Sequence, residues 1–179
     1  MINFNSKITK KVLSFFFLNI DTEMYLNEMA RKFDVDRANL SRKLSEWERQ
    51  GILSKRKKGN LSLYKINKKY PMLKEMKKIV QKSFGLEKEL EQILKKDKQV
   101  KQAFIFGSYA KDQLTMESDI DLLIVGSHVS LNLEREILKL QKKIDREINT
   151  IDLTEAEFAE KKNDDFIRNI LSNKNIKLI

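Results

Sequence analysis

Two aspartates, Asp119 and Asp121, stand two residues apart at the start of an apolar run in FGSYAKDQLTMESDIDLLIV. Side chains two apart on a strand point to the same side, so these carboxylates are expected to converge. Converging carboxylates repel each other unless a cation lies between them, and hard oxygen ligands suit Mg²⁺. Such an ion would bridge nucleotide phosphates. The spacing therefore predicts a site for Mg²⁺ and a phosphorylated ligand.

A Gly-Ser pair, Gly107 and Ser108, ends the preceding apolar run. Glycine lets a backbone approach a phosphate closely, and Ser108 offers a hydroxyl and an N–H near a predicted helix start. An Asp-x-Asp alone is most often a solvent-exposed strand end. In combination with Gly-Ser and a buried-strand signature it is specific, and it suits metal-assisted attack on a nucleoside triphosphate.

Several other classes of protein are disfavoured by composition. The 179 residues include no cysteine, which excludes disulfides and thiolate metal sites, and one histidine, His128, predicted to lie in a loop. The Gly-Ser segment lacks the Gly-Lys-Ser/Thr of a P-loop. No apolar stretch approaches the roughly 20 residues that cross a bilayer, so a cytoplasmic protein without a membrane partner is expected.

The elements that must position these residues alternate between strands and helices. Strands are predicted over VKQAFIF, SDIDLLIVG and EINTIDL, with a helix from Leu131 to about Asp145 and two helical pieces from about Glu155 and Asp164. This order predicts an α/β unit, with flanking helices around one small mixed sheet.

The first 70 residues carry nearly all the excess positive charge, with 16 Lys+Arg against 7 Asp+Glu. Such asymmetry suggests a polyanion partner. Apolar residues at helical spacing predict three helices, with Asp36 capping the third, and then a hairpin turning at Gly59-Asn60.

Polar and basic side chains cluster on the third helix and the hairpin. A helix end with Arg, Asn and Ser can enter a major groove and reach base edges, and hairpin cations can neutralise phosphates. The predicted contacts with double-stranded DNA are Arg37, Asn39, Ser41, Arg42, Lys43, Lys55, Arg56, Lys57 and Lys58. The alternative is a solvated face on a protein-docking domain.

Residues from about 5 to 70 resemble a winged helix-turn-helix domain of the ArsR/MarR-like kind, on LNEMARKFDVDRANLSRKLSEWERQGILSKRKKGNLSLYKIN. The boundaries predicted are a DNA-binding domain over 1–70, a linker helix over 71–96 that opens at Pro71 and has Gly85 as a candidate break, and a second domain over 97–179. The linker stripe of Ile79, Leu86 and Ile93 either pairs in a homodimer or packs on a neighbouring domain.

Residues from roughly 97 to 155 closely resemble the minimal nucleotidyltransferase domain of the DNA polymerase β superfamily. The matching positions are Gly107, Ser108, Ala110, Lys111, Ser118, Asp119, Ile120, Asp121, Leu122 and Leu123. The resemblance implies that Gly107 and Ser108 hold the triphosphate, with Lys111 as a weaker phosphate contact. It also implies that Asp119 and Asp121 bind two Mg²⁺ as catalytic residues. The whole chain is similar to fused winged-helix and nucleotidyltransferase-like proteins, a two-domain α+β and α/β architecture.

Two positions depart from that family pattern. Asp112 stands where the family often has glycine, and Asn149 stands where active members have a third carboxylate. Asp152 lies three residues later, so a regular strand would turn it to the other side, whereas a bulge would return it. Glu147 shares the parity of Asn149 but is one pleat away. Asp152 is therefore a conditional catalytic candidate.

Three functions remain open from the sequence. One is an enzyme that moves a nucleoside monophosphate from an NTP to an unidentified acceptor, with the first domain delivering it to DNA or a partner. Another is a transcription regulator whose degenerate nucleotidyltransferase domain senses nucleotide or mediates assembly. The third is an antitoxin-like or defence-related module.

Overall fold

The structure, a computed structural model, describes residues 3–127 and 130–179. The chain divides into two compact units, Met1–Lys88 and Glu89–Ile179. His128, predicted to lie in a loop, is outside the described residues. Within the described ranges, no helix is both long enough and apolar enough to cross a membrane.

The first unit is built from helices that enclose a three-stranded antiparallel sheet of order β1-β3-β2. Its elements are α1 (Lys7–Leu18), β1 (Met24–Tyr25), α2 (Leu26–Phe33), α3 (Arg37–Arg49), β2 (Leu53–Lys58), β3 (Leu61–Ile66) and α4 (Leu73–Ser83). The Phe15-Phe16-Phe17 run, Leu44 and Trp47 are buried together in its core. The phenylalanine cluster is therefore core, as its helical spacing predicts.

The connection from α2 to α3 and the β2–β3 turn agree with the sequence. The carboxylate of Asp36 accepts a hydrogen bond from the Asn39 N–H at 2.8 Å, which confirms its predicted cap. Lys58 pairs with Leu61, so Gly59 and Asn60 form a two-residue turn. Gly59 has φ of +59°, a left-handed value that suits the first turn position of a tight hairpin.

The segment predicted as a linker helix, with Gly85 as its candidate break, consists of two helices, α4 and α5 (Leu86–Leu94), on either side of that glycine. At the break, a Cβ on Gly85 would lie 2.5 Å from Gln81 Oε1, and that buried oxygen accepts the Leu86 N–H at 2.9 Å. Along the predicted stripe Leu86 is buried, whereas Ile79 is 45% exposed. These residues therefore do not form one continuous exposed seam, and homodimerisation stays a prediction.

The second unit contains a four-stranded mixed sheet of order β6-β5-β4-β7. Its elements after α5 are β4 (Val100–Phe106), α6 (Gly107–Ala110), β5 (Ile120–Gly126), α7 (Leu131–Ile144), β6 (Ile148–Leu153), α8 (Glu155–Glu160), a 3₁₀ turn (Lys161–Asn163), α9 (Asp165–Ser172) and β7 (Ile176–Lys177). β4 pairs antiparallel with β5 and β7, and β5 pairs parallel with β6. The predicted mixed sheet is confirmed.

One face of this sheet is only partly covered. Side chains of Phe104, Leu123, Val125 and Leu153 pack there against α9 through Ile167 and Ile170. Because strand side chains alternate, Asp121 lies on the same face as Leu123 and two residues closer to the strand start. The end of this face where Gly107, Ser108 and Asp121 are partly exposed is the open end of the sheet.

Candidate functional site

Asp119 and Asp121 lie where β5 begins, with Asp119 one residue before the strand and Asp121 second within it. Asp121 pairs with Phe106, the last residue of β4. Desolvation, and then the negative charge of Asp119, raise the pKa of the Asp121 carboxyl. The two carboxylates are therefore near enough to repel, as their spacing predicts.

Gly107 brings the backbone against Asp121. Its φ is +69°, and a Cβ placed on it would lie 2.0 Å from Asp121 Oδ2. No side chain fits in that space, so glycine is required both by the left-handed backbone and by the close carboxylate. Ser108 follows in the short helix α6 and is partly exposed.

Gly107→Ala is expected to displace the Asp121 carboxylate and to destabilise the protein by more than Gly59→Ala does. Both substitutions put a Cβ on a residue with a left-handed backbone, which costs about 1–2 kcal/mol of stability. Gly59 has no atom within 4 Å of such a Cβ, so it serves as the control for backbone strain alone. Denaturant unfolding of both variants measures the difference, and equal losses would contradict the close approach.

Asn149 is the residue that the strand register places beside the aspartates. It pairs with Asp121 across the parallel β5–β6 ladder, and its Nδ2 donates to Asp119 Oδ2 at 3.2 Å. The amide has no acidic proton and does not act as a base at ordinary pH. The place beside the two carboxylates is thus occupied by a neutral hydrogen-bond donor.

Asp152 lies on the opposite face of the sheet. It pairs with Ile124 in an uninterrupted β5–β6 register, so no bulge returns it to the side of Asp119 and Asp121. Partial desolvation, followed by the carboxylate of Glu134 on α7, raises its pKa. The structure does not bring Asp152 together with the other acidic candidates.

Lys111 and Asp112 follow α6 at its exposed end. Lys111 caps the helix with its side chain toward solvent. Asp112 has φ of +59°, a left-handed conformation that glycine adopts without cost. This explains physically why glycine suits that position, and aspartate is among the residues that tolerate it.

Arg146 supports the site and was not predicted from the sequence. Its side chain is buried, and Nη1 donates to the Ser118 carbonyl oxygen at 2.5 Å, next to Asp119. Burial lowers the pKa of Arg146, and the Asp119 charge opposes that shift. A cavity of about 410 Å³ beside Asp119 is lined in part by Arg146, Lys142 and Glu147. The sequence offers a single signal for Arg146, a charged residue just after a helix end.

The donor set fits a hard cation with few protein ligands. Within residues 3–127 and 130–179, no three histidine, aspartate or glutamate side chains converge as a metal cage. The raised pKa of Asp121 means that its ionised form is disfavoured. Mg²⁺ stabilises the ionised form of two neighbouring carboxylates, so these two side chains nevertheless suit the ion. Mg²⁺ commonly takes one or two carboxylates together with substrate phosphates and water.

The candidate DNA contacts of the first unit fall into two groups, one on α3 and one on the β2–β3 hairpin. On α3, Arg37, Asn39 and Arg42 are exposed, and Ser41 and Lys43 are partly exposed. Arg37 Nε donates to Asn27 Oδ1 at 2.7 Å, Arg42 donates to the Asn39 side chain, and Lys43 lies 3.1 Å from Glu46. Asn27 was missed from the sequence because its partner is ten residues away on another helix.

The hairpin cations are not equivalent. Glu23 accepts from Arg56 Nε at 2.8 Å and lies 2.9 Å from Lys65 Nζ, and these cations lower its pKa to about 2. Lys55 lies 3.8 Å from Glu48 and over the Tyr64 ring. Lys57 and Lys58, by contrast, are exposed near the hairpin tip. The unengaged charge of the hairpin is therefore concentrated at those two lysines.

Sequence comparison identifies the family of the second unit. The profile of the family described as polymerase beta, nucleotidyltransferase, matches residues 88–178. The chain belongs to the polymerase beta nucleotidyltransferase family. A protein of Methanocaldococcus jannaschii, named as a candidate protein adenylyltransferase, is 42% identical over 73 residues, which cover 40% of this chain and 72% of that protein.

Solved structures show weaker likenesses. A toxin–antitoxin crystal structure with AMP-PNP aligns at a TM-score of 0.39 and 17% identity, over 52% of this chain and 72% of that one. Reduced HlyU from Vibrio cholerae aligns at a TM-score of 0.34 and 19% identity, over 42% of this chain and 80% of that one. TM-scores this low carry no conclusion about fold or function.

Proposed function

We propose that the nucleotidyltransferase unit binds a nucleoside triphosphate together with Mg²⁺ at the open end of its sheet. The observation that carries this proposal is the meeting of Asp119 and Asp121 with Gly107 at the start of β5. Membership of the family supports it, because the matched region, residues 88–178, contains all three residues.

Different residues would bind the metal and the triphosphate of the nucleotide. Asp119 and Asp121 would hold the metal, up to two ions, and Gly107 and Ser108 would hold the triphosphate, with exposed Lys111 as a weaker phosphate contact. Bound Mg²⁺ would neutralise phosphate charge and polarise the phosphoryl oxygens. Arg146 would hold the Ser118–Asp119 backbone in place through its hydrogen bond to the Ser118 carbonyl oxygen.

We infer that transfer of the nucleoside monophosphate is weak or absent in this chain. A general base must accept a proton from the acceptor hydroxyl, and the Asn149 amide beside Asp119 cannot do so. Asp152 is on the other face of the sheet. The unit would then serve mainly to sense nucleotide.

A second candidate is a working adenylyltransferase. The relative with 42% identity is named for adenylyl transfer to protein, and this similarity favours AMP as the group moved and a protein as its acceptor. The two candidates make the same prediction for nucleotide binding and opposite predictions for turnover.

For the first unit we propose a winged helix-turn-helix that binds double-stranded DNA, so that the chain is a transcription regulator in the cytoplasm. Exposed Arg37 and Asn39 at the start of α3 would reach base edges, and Lys57 and Lys58 would contact phosphates. The order of helices and the β2–β3 hairpin support this proposal. A homodimer would match a two-fold DNA site.

The test of nucleotide binding is an equilibrium titration of the full chain with ATP, GTP, CTP and UTP, with and without Mg²⁺. At least one nucleotide is expected to bind, and to need the ion. Absence of binding by all four at millimolar Mg²⁺ would overturn the proposal.

A further inference from the structure

Two aromatic side chains meet at the border of the open end of the sheet. The rings of Phe106 and Phe166 lie 6.1 Å apart at 87°, an edge-to-face contact. Phe166 is 48% exposed, although it is a large apolar residue, and Phe106 is partly exposed. Packing of the core therefore leaves much of this pair facing solvent.

The pair is continuous with the proposed triphosphate site. Phe106 directly precedes Gly107 and is the cross-strand partner of Asp121, so its ring stands on the same face of the sheet as that carboxylate. Phe166 lies in the first turn of α9, a helix that packs on this face through Ile167 and Ile170. The aromatic surface thus forms the apolar wall between the helix-covered part of the face and its polar end.

We propose that the Phe106–Phe166 pair is the nucleobase-binding surface of the nucleotide site. The inference depends on the proposed function, because it assigns the base of a nucleotide whose phosphates lie at Gly107 and Asp121. A nucleobase presents a flat π-face, and stacking on an aromatic side chain gains free energy for any base. Inorganic triphosphate offers the same phosphates without that face, so the pair distinguishes a nucleotide from phosphate alone.

A base suits this surface better than a protein partner does. The exposed area consists of two rings, next to carboxylates and a phosphate-accessible backbone, which is the mixture of apolar wall and polar groups found in small-molecule sites. Protein docking surfaces are several times larger.

Comparative titration of Mg-ATP and Mg-tripolyphosphate tests the proposal in the full-length protein. Phe166→Ala is expected to weaken Mg-ATP binding about 5- to 150-fold, the range given by the loss of one base–aromatic stack. It should leave Mg-tripolyphosphate binding unchanged. Phe166→Tyr should bind ATP like the parent, whereas Phe166→Leu, which keeps an apolar contact with Phe106, should not. Leu138→Ala, at a 52% exposed position on α7, is the control for removing surface apolar area.

The possible outcomes distinguish failure of the nucleobase assignment from failure of the proposed metal–triphosphate site. If the parent binds both ligands and Phe166→Ala binds ATP equally well, or loses both ligands equally, the nucleobase assignment is wrong while the metal–triphosphate site stands. If Phe166→Leu binds ATP like the parent, the ring has only a packing role and the assignment is again wrong. If the parent binds neither ligand, the proposed function fails and this inference fails with it.

Discussion

The double variant Asp119→Asn/Asp121→Asn is expected to lose at least ~100-fold in Mg²⁺-dependent nucleotide affinity while it remains folded. Unit charges 4 Å apart interact by about 4 kcal/mol at an effective dielectric constant of 20, so loss of both carboxylates removes most of the attraction for the ion. The raised pKa of Asp121 shows that its ionised form is disfavoured in the folded protein. Neutral asparagine at both positions removes the desolvation cost of the Asp121 charge and its repulsion by Asp119, so the thermal midpoint at pH 7 should be equal or higher.

Calorimetric titration of Mg-ATP measures this loss, and a thermal melt confirms that the variant is folded. Asp152→Asn is the matched control, because it neutralises a carboxylate on the same sheet but on the other face. It should bind Mg-ATP like the parent. If the double variant also binds like the parent, the Asp-x-Asp segment is not the metal site.

The second large effect is expected in DNA binding by the first unit. Lys57→Ala/Lys58→Ala should weaken binding to all duplexes alike and make the slope of log K against log [salt] shallower by about 2, about 0.9 for each phosphate that is no longer neutralised. These two lysines are exposed, whereas Arg56 is held by Glu23. Asn39→Ala should instead reduce the preference among sequences, because it removes a group that reads base edges.

Lys74→Ala/Lys78→Ala provides the control, since both lysines are exposed on α4 and removing them changes the net charge equally. It should change the salt slope much less than the hairpin variant does. Fluorescence anisotropy at several salt concentrations measures both slopes. Binding that is insensitive to salt, or absent from every fragment at low salt, would contradict the DNA proposal.

The strand pattern predicted part of the arrangement of the candidate site and left the choice between Asn149 and Asp152 to the strand register. A period of two places Asp119 and Asp121 on one face, and the same parity on the third strand favours Asn149, whereas a bulge would have kept Asp152 as a candidate. The β5–β6 register and the Asn149–Asp119 hydrogen bond confirm that geometry. Local rules also located the Asp36 cap and the Gly59-Asn60 turn, because these depend on neighbouring residues only.

What the sequence did not predict depends on contacts between distant residues. The break between α4 and α5 falls at Gly85, the residue named from the sequence, but the buried Gln81 side chain that caps α5 has no signal in helical spacing. Glu23 neutralises Arg56 from 33 residues away, so the hairpin cations were predicted as equivalent although they are not. Phe106 and Phe166 meet because α9 returns to the end of β4, a tertiary arrangement with no local signal.

Transfer of label from an α-³²P-labelled NTP tests the central claim most directly, with the parent chain and Asn149→Asp compared at the same Mg²⁺ concentration. The claim is that the site binds nucleotide but lacks the group that activates an acceptor. The parent should therefore bind the NTP with little label appearing on protein, RNA or a small molecule. Asn149→Asp should raise transfer by about 10²–10⁴-fold, the usual contribution of a general base. Rapid transfer by the parent that Asp152→Ala abolishes, and that Asn149→Asp does not increase, would contradict the claim.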